Sequence, residues 1–298
     1  MLPTHGRYPY SIIDRRPDYS WPNGKRLAFY VCFNIEYFAF GTGLGPDIGL
    51  GNPPPNHRGY AWRDYGNRVG LWRMFDLMDE LGLPAAHNVN SALYERHPEV
   101  FERIRARGDE VVGHGRTNSE KQSGMWEADE LRLIREATET ITRNEGRAPK
   151  GWMGPWLAET WTTPDLLKEA GYTYVLDWSC DDQPFWMRTR AGPILSVPYP
   201  LEINDSPAIV YRNFTARDFA DMIVDQFDEM IDQCNEQPLC FPISLHTFIV
   251  GQPFRLRALR QAFRHCLGHP KKDLVWFTRP GAVADYCYGL PEGVLVAA

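Results

Sequence analysis

Four apolar, β-rich runs of this chain end in polar residues that could do chemistry. They close as Phe33-Asn34-Ile35-Glu36, Asn88-Val89-Asn90, Gly113-His114-Gly115-Arg116-Thr117-Asn118 and Ser244-Leu245-His246. A carboxylate and two imidazoles, Glu36, His114 and His246, are the inventory for general acid/base hydrolysis or for a metal ion, provided the fold brings them to one rim. His114 lies between two glycines, which let the backbone approach a ligand closely or take a positive φ while the imidazole stays at the strand terminus. Any one of these residues alone is equally at home as a satisfied structural histidine or a solvated carboxylate. The functional reading rests on their convergence.

The elements that would position them follow from hydrophobic periodicity. Runs at Arg26 to Phe33, Pro84 to Val89, Glu110 to Gly113, Lys150 to Met153, Tyr172 to Trp178, Ile194 to Tyr199, Leu239 to Leu245 and Leu274 to Phe277 predict about eight strands. Between them, Val69, Trp72, Phe75, Met78 and Leu81 share one helical face, as do Leu131, Ile134, Thr138 and Ile141, and Phe219, Ile223, Phe227 and Met230. Thr163 before Pro164, with Asp165 in the first turn, predicts a capped helix start, and Gly171 its stop. This alternation favours an α/β fold of the (β/α) barrel type, complete or incomplete, over a doubly wound sheet, with the productive face where strands end and loops begin. It predicts one domain over residues 1–298, with an N-terminal arm over 1–25 and a Gly/Pro-rich loop inserted over 41–66. That loop reads either as an active-site lid or as a surface excursion or oligomer contact.

Composition narrows the function classes. A hydrophobic fraction of 43% supports a large core, and a net charge of -6 with scattered Lys and Arg leaves no basic stripe for nucleic acid. Met1 to Tyr10 holds no apolar run behind a basic segment, and no stretch approaches the roughly 18 apolar residues of a membrane span, so a cytoplasmic protein is expected, with no membrane partner. The six cysteines form no CxxC pair and read as reduced, buried thiols.

The order of these motifs resembles the polysaccharide-deacetylase (carbohydrate esterase, NodB-like) superfamily over most of the chain after Arg26. The likeness lies in a carboxylate after strand one, Gly113-His114-Gly115 after strand three, Gly154-Pro155-Trp156 after strand four and Leu245-His246 after strand seven. Further echoes are Cys180-Asp181-Asp182-Gln183-Pro184-Phe185-Trp186, Val197-Pro198-Tyr199-Pro200 with Asn204-Asp205, and Gly251-Gln252-Pro253-Phe254-Arg255. They are closest to the branch that contains the purine-degradation allantoinase and peptidoglycan-deacetylase-like proteins. The resemblance implies a distorted, incomplete (β/α) barrel of about seven to eight strands.

It also implies site roles. Metal-dependent members use an Asp-His-His ligand set with a second aspartate as base. Here the carboxylate is Glu36, the first histidine is His114, the second histidine's position holds Asn118 and the base position holds Asn34. Asparagine is a poor Zn²⁺ ligand and no base at neutral pH. The implied cofactor is therefore none, or one weakly bound divalent metal such as Zn²⁺ on Glu36, His114 and Asn118. On the allantoinase-like pattern, Glu36 activates water, His114 orients or shuttles the proton, and His246 donates to the carbonyl oxygen or the leaving nitrogen. Asn34 and Asn118 would contact substrate, Trp152, Pro155 and Trp156 would wall the pocket, and Arg116, Asp181 and Asp182 would hold a polar ring substituent. The leading expectation is hydrolysis of a non-peptide carbon–nitrogen bond in a small cyclic amide, ureide or imide. Second stands a metal-dependent N-deacetylase of an N-acetylated sugar or glycan, and third a ligand-binding barrel without catalysis. The expected partners are a small-molecule substrate and further copies of the chain, since the resemblance implies a homo-oligomer.

Overall fold

The computed structural model describes residues 4–41 and 55–297. Its architecture is set by β1 (Leu27–Ile35), all nine residues of which are buried, as in a parallel strand covered on both faces. Side chains alternate along it. Leu27, Phe29, Val31, Phe33 and Ile35 pack outward against helices, whereas Ala28, Tyr30 and Cys32 pack inward. Asn34 and Glu36 continue the inward row into a pocket.

After β1 the chain forms α1 (His57–Tyr65) and α2 (Leu71–Leu81), joined by a π-helical segment, Gly66–Gly70. There follow β2 (Ala86–Val89), α3 (Leu93–Arg96), α4 (Pro98–Arg107), β3 (Glu110–Gly113), α5 (Glu127–Glu145), β4 (Gly151–Trp152), α6 (Thr163–Glu169) and β5 (Tyr174–Val175). The remainder is β6 (Phe185–Met187), β7 (Ile194–Ser196), α7 (Ala216–Gln233), β8 (Leu239–His246), α8 (Pro253–Gly268), β9 (Val275–Thr278) and α9 (Pro280–Tyr288). The strands form one sheet in the order β6-β7-β5-β4-β3-β2-β1-β8, parallel except for the antiparallel β6/β7 pair. β9 pairs with Leu27 to Tyr30 of β1 and β2 with Cys32 to Ile35, so the two share one edge while β8 runs along the other. The sheet curls into an incomplete (β/α) barrel. Its open side, between β7 and β8, is crossed by a parallel bridge from Asn204 to Ser244.

Each of the eight predicted runs contains a strand; the ninth, β6, is three residues long. The predicted helical faces lie on α2, α5 and α7, the last opened by a capping box of Thr215 and Asp218. Two expectations are corrected. Thr163 does not cap α6 but is its first residue; the N-cap, Thr162, makes no side-chain capping bond, and the Thr163 hydroxyl donates to buried Glu130 instead. The expected 41–66 loop is helical over α1, which Asn56 caps by accepting from the Gly59 N–H, while residues 42–54 lie outside the described residues. No helix among the described residues is long and apolar enough to cross a membrane.

Candidate active site

The inward rows of β1, β3 and β8 end at Glu36, His114 and His246, and these three side chains meet. Glu36 Oε1 lies 3.8 Å from His114 Nε2 and 3.6 Å from His246 Nε2. Local hydrogen bonds hold them there. His114 Nδ1 donates to the Met153 carbonyl at 2.6 Å, which leaves Nε2 facing the glutamate. His246 Nδ1 lies 2.7 Å from Asp205 Oδ1, and the same carboxylate accepts the His246 backbone N–H at 2.8 and 3.0 Å. Asn90 joins two of the strand ends, accepting the Tyr37 N–H at 2.8 Å and donating to the His114 carbonyl. Asn67, from the π-helical segment, donates to the Glu36 carbonyl at 2.9 Å.

The charges are opposed. Burial alone would raise the Glu36 pKa, but the charge of His246, with Arg63 behind it, holds the carboxyl below the ordinary glutamate range. Burial alone would lower that of His246, but Asp205 and Glu36 outweigh it and raise the imidazole above its ordinary value. Each therefore favours the charged form of the other. Two further atoms, His114 Nε2 and Asn118 Oδ1, are buried without a hydrogen-bond partner. Such atoms are costly unless a ligand or water completes them.

The pocket measures about 170 Å³, and its walls include Phe38, Met153, Trp156, Leu157, Tyr211 and Phe248. A cavity of roughly 150 Å³ holds a benzene ring, so the space beside Glu36 admits one small ring. Its floor is a buried polar network. Asn34 Nδ2 donates to Tyr199 Oη at 3.1 Å and Ser244 Oγ at 3.0 Å, and Asn88 Nδ2 donates to Asn34 Oδ1 at 3.1 Å.

Of the substrate contacts expected from sequence, Asn34, Asn118 and Trp156 line this pocket. The others are placed elsewhere. Trp152 belongs to the outward row of β4, is fully buried against α5 and α6, and donates to Gln122. Pro155 is buried beneath Gly115, where a Cβ would meet its ring at 3.0 Å. Arg116 is swung outward by the positive φ of Gly115 and pairs with Glu120 and Glu136 at a surface groove. Asp181 makes two 2.7 Å bonds to Arg16 of the N-terminal arm, and the Asp182 carbonyl accepts from Cys240 at the start of β8, the end of the barrel opposite the site. Gly113 is small for packing: a Cβ there would lie 2.9 Å from the Trp152 ring. Asn90, Met153, Tyr199 and Asp205 also stand at strand ends or in the echoed segments that the sequence singles out, but the sequence assigns none of them a role in the site.

The donors do not fit the Asp-His-His metal centre that the resemblance implies. Asn118 offers an amide in place of the second imidazole, a poor partner for a metal such as Zn²⁺. Among the described residues no group of three or more His, Cys, Asp or Glu is arranged to hold a metal ion.

Residues 59–175 match the family model for polysaccharide deacetylase. Over 306 residues, 92% of this chain and 92% of the relative, the sequence is 26% identical to a Schizosaccharomyces pombe protein named "Putative polysaccharide deacetylase". Among solved structures the chain is similar to Puue allantoinase, at 28% identity and TM-score 0.83 over 95% of this chain and 98% of that one. It is also similar to a "probable polysaccharide deacetylase" from Pseudomonas aeruginosa PAO1, at 26% identity and TM-score 0.80 over 92% and 94% of the two chains.

Proposed function

This chain carries a polysaccharide deacetylase domain, and from that premise we propose that it hydrolyses a carbon–nitrogen bond other than a peptide bond in a small cyclic amide, ureide or imide. One observation carries the reading. Glu36 and His246 lie 3.6 Å apart, each favouring the charged form of the other, inside a small, partly apolar pocket. The likeness to an allantoinase over nearly the whole of both chains supports the same substrate class.

On this reading the nucleophilic water sits between Glu36 Oε1 and His114 Nε2. Two acceptors 3.8 Å apart can each take one of its hydrogens. As the water oxygen attacks the carbonyl carbon, its proton passes to Glu36, while His246 Nε2–H donates to the oxygen that gains charge. Neutralising His246 removes the charge that kept Glu36 acidic, so the glutamate accepts more readily as the reaction proceeds. The carbon–nitrogen bond then breaks as the proton on Glu36 passes to the departing nitrogen, the carbonyl re-forms by returning its proton to His246, and the ring opens to an acid with both residues restored. Asn118 Oδ1, buried and without a donor, accepts an N–H of the ring and so favours a substrate carrying one.

A substrate panel on chelator-treated protein tests this. Ring opening of allantoin, hydantoins or cyclic imides that persists through chelation is the expected outcome. Acetate release from N-acetylated amino sugars that chelation abolishes would replace the reading with a metal-dependent deacetylase.

A further inference from the structure

We propose that Glu159 and Asp177 share a proton in a carboxyl–carboxylate hydrogen bond, and that this bond holds the Trp156–Leu157 turn in place as one wall of the pocket. The pocket's role is the one proposed above. Trp156 and Leu157 both line it, and both sit in the left-handed region, at φ 69° and 54°. Two successive non-glycine residues there persist only where the surroundings fix them. The fixing points converge on β5. Gly154, before the turn, donates its N–H to Asp177 Oδ1 at 2.8 Å, and Trp178 Nε1 donates to Glu159 Oε2, after the turn, at 3.0 Å. The remaining oxygens, Glu159 Oε1 and Asp177 Oδ2, are buried without a hydrogen-bond partner, and each carboxyl group is a neighbour that shifts the other. Two carboxylates cannot hydrogen-bond to each other, so in the shared bond one carries a proton.

Burial and mutual repulsion support this. Burial pushes Asp177 up to about 7, and burial together with repulsion from Asp177 pushes Glu159 well above the ordinary glutamate range. The charged groups that face the pair are Glu130 from α5, which opposes ionisation of Glu159, and His114, which favours that of Asp177. When the shared proton leaves, two adjacent carboxylates repel and the strained turn loses its closure. Glu36, His114 and His246 stand on other segments, so KM rises while kcat is largely kept.

The test uses the full chain, with Glu159→Ala and Glu159→Gln, and has two arms. In the first, KM and kcat for the ring-opening substrate are followed with pH. Loss of the buried bond in E159A raises KM about tenfold with kcat within about threefold of wild type. E159Q donates an amide N–H to Asp177 without needing a proton, so it restores KM and removes the alkaline rise seen in wild type. The second arm needs no substrate. Between about pH 5 and 8 the native pair holds protons that the unfolded chain has released, so wild-type stability to denaturant falls as pH rises, and E159Q shows a smaller fall. Equal pH dependence in the two proteins overturns the shared proton. An unchanged KM in E159A overturns the link to the pocket while leaving the reaction assigned above intact, and failure of every ring substrate fails that assignment while the stability arm still decides the pair. Should E159Q not fold, Asp177→Asn, whose amide donates to a Glu159 carboxylate, reads the same stability difference.

Discussion

Asp205 decides what His246 can do. Fully buried, it accepts both the Nδ1 hydrogen and the backbone N–H of that residue, fixing the ring's tautomer and favouring its charged form. The pH dependence follows from the two shifts. Glu36, held below its ordinary 4.5, stays ionised further into acid, and His246, held above its ordinary 6.5, stays protonated to higher pH than a free imidazole. The kcat/KM profile is therefore a broad bell whose alkaline limb lies above 6.5. Asp205→Asn moves that limb to lower pH and lowers kcat; a limb left in place would remove His246 as the acid. The three central residues were legible because each closes an apolar run with a polar side chain. Trp152 was misjudged although the strand period was available: one residue on, Met153 takes the inward place, continuing the row that Val112 and His114 hold on the neighbouring strand. Asp205 was passed over because it follows β7 through irregular chain, where no period points a side chain anywhere.

At the scale of elements, the site depends on how closely β3 and β4 approach. Gly113 admits the Trp152 ring, and Gly115 at φ 66° turns His114 inward and Arg116 outward. Gly113→Ala forces a methyl against a fully buried indole. It should cost about 1–3 kcal/mol in denaturant unfolding and displace His114, lowering kcat. Stability and turnover equal to wild type would show that the two strands have slack. The long strands β1 and β8 and the amphipathic helices α2, α5 and α7 were readable because each repeats its period several times. β4 and β5 are two residues each, too short to alternate, and their existence came from apolar content alone. α1 escaped notice for the opposite reason: His57-Arg58-Gly59-Tyr60-Ala61-Trp62-Arg63-Asp64-Tyr65 buries only Gly59 and Arg63, so it offers no apolar stripe.

For the whole molecule, the decisive features are long-range closures that no local pattern announces. The Asn204–Ser244 bridge spans the gap between β7 and β8 and so delivers Asp205 to His246. The N-terminal arm straps the opposite end of the barrel through Arg16 to Asp181, Arg7 to Asp165 and the buried Trp21 indole to the Leu239 carbonyl. With Arg16 largely buried, Arg16→Ala leaves Asp181 without its partner and should cost about 3–5 kcal/mol in urea unfolding, with kcat and KM unchanged because Arg16 and Asp181 pair beside the start of β8, away from the pocket residues. A change in KM instead would restore Asp181 to the substrate. The barrel class was readable from the alternation of strands and helices, and its incompleteness came through motif order rather than physics. What the whole assembly is proposed to achieve is a carboxylate that generates the nucleophile without a metal. The most direct test is the kcat of Glu36→Gln on chelator-treated protein with the ring-opening substrate, with the native fold verified by its thermal transition. A fall of about a thousandfold, within the roughly 10²–10⁴ expected of general acid–base catalysis, is predicted, and a kcat within about tenfold of wild type would contradict it.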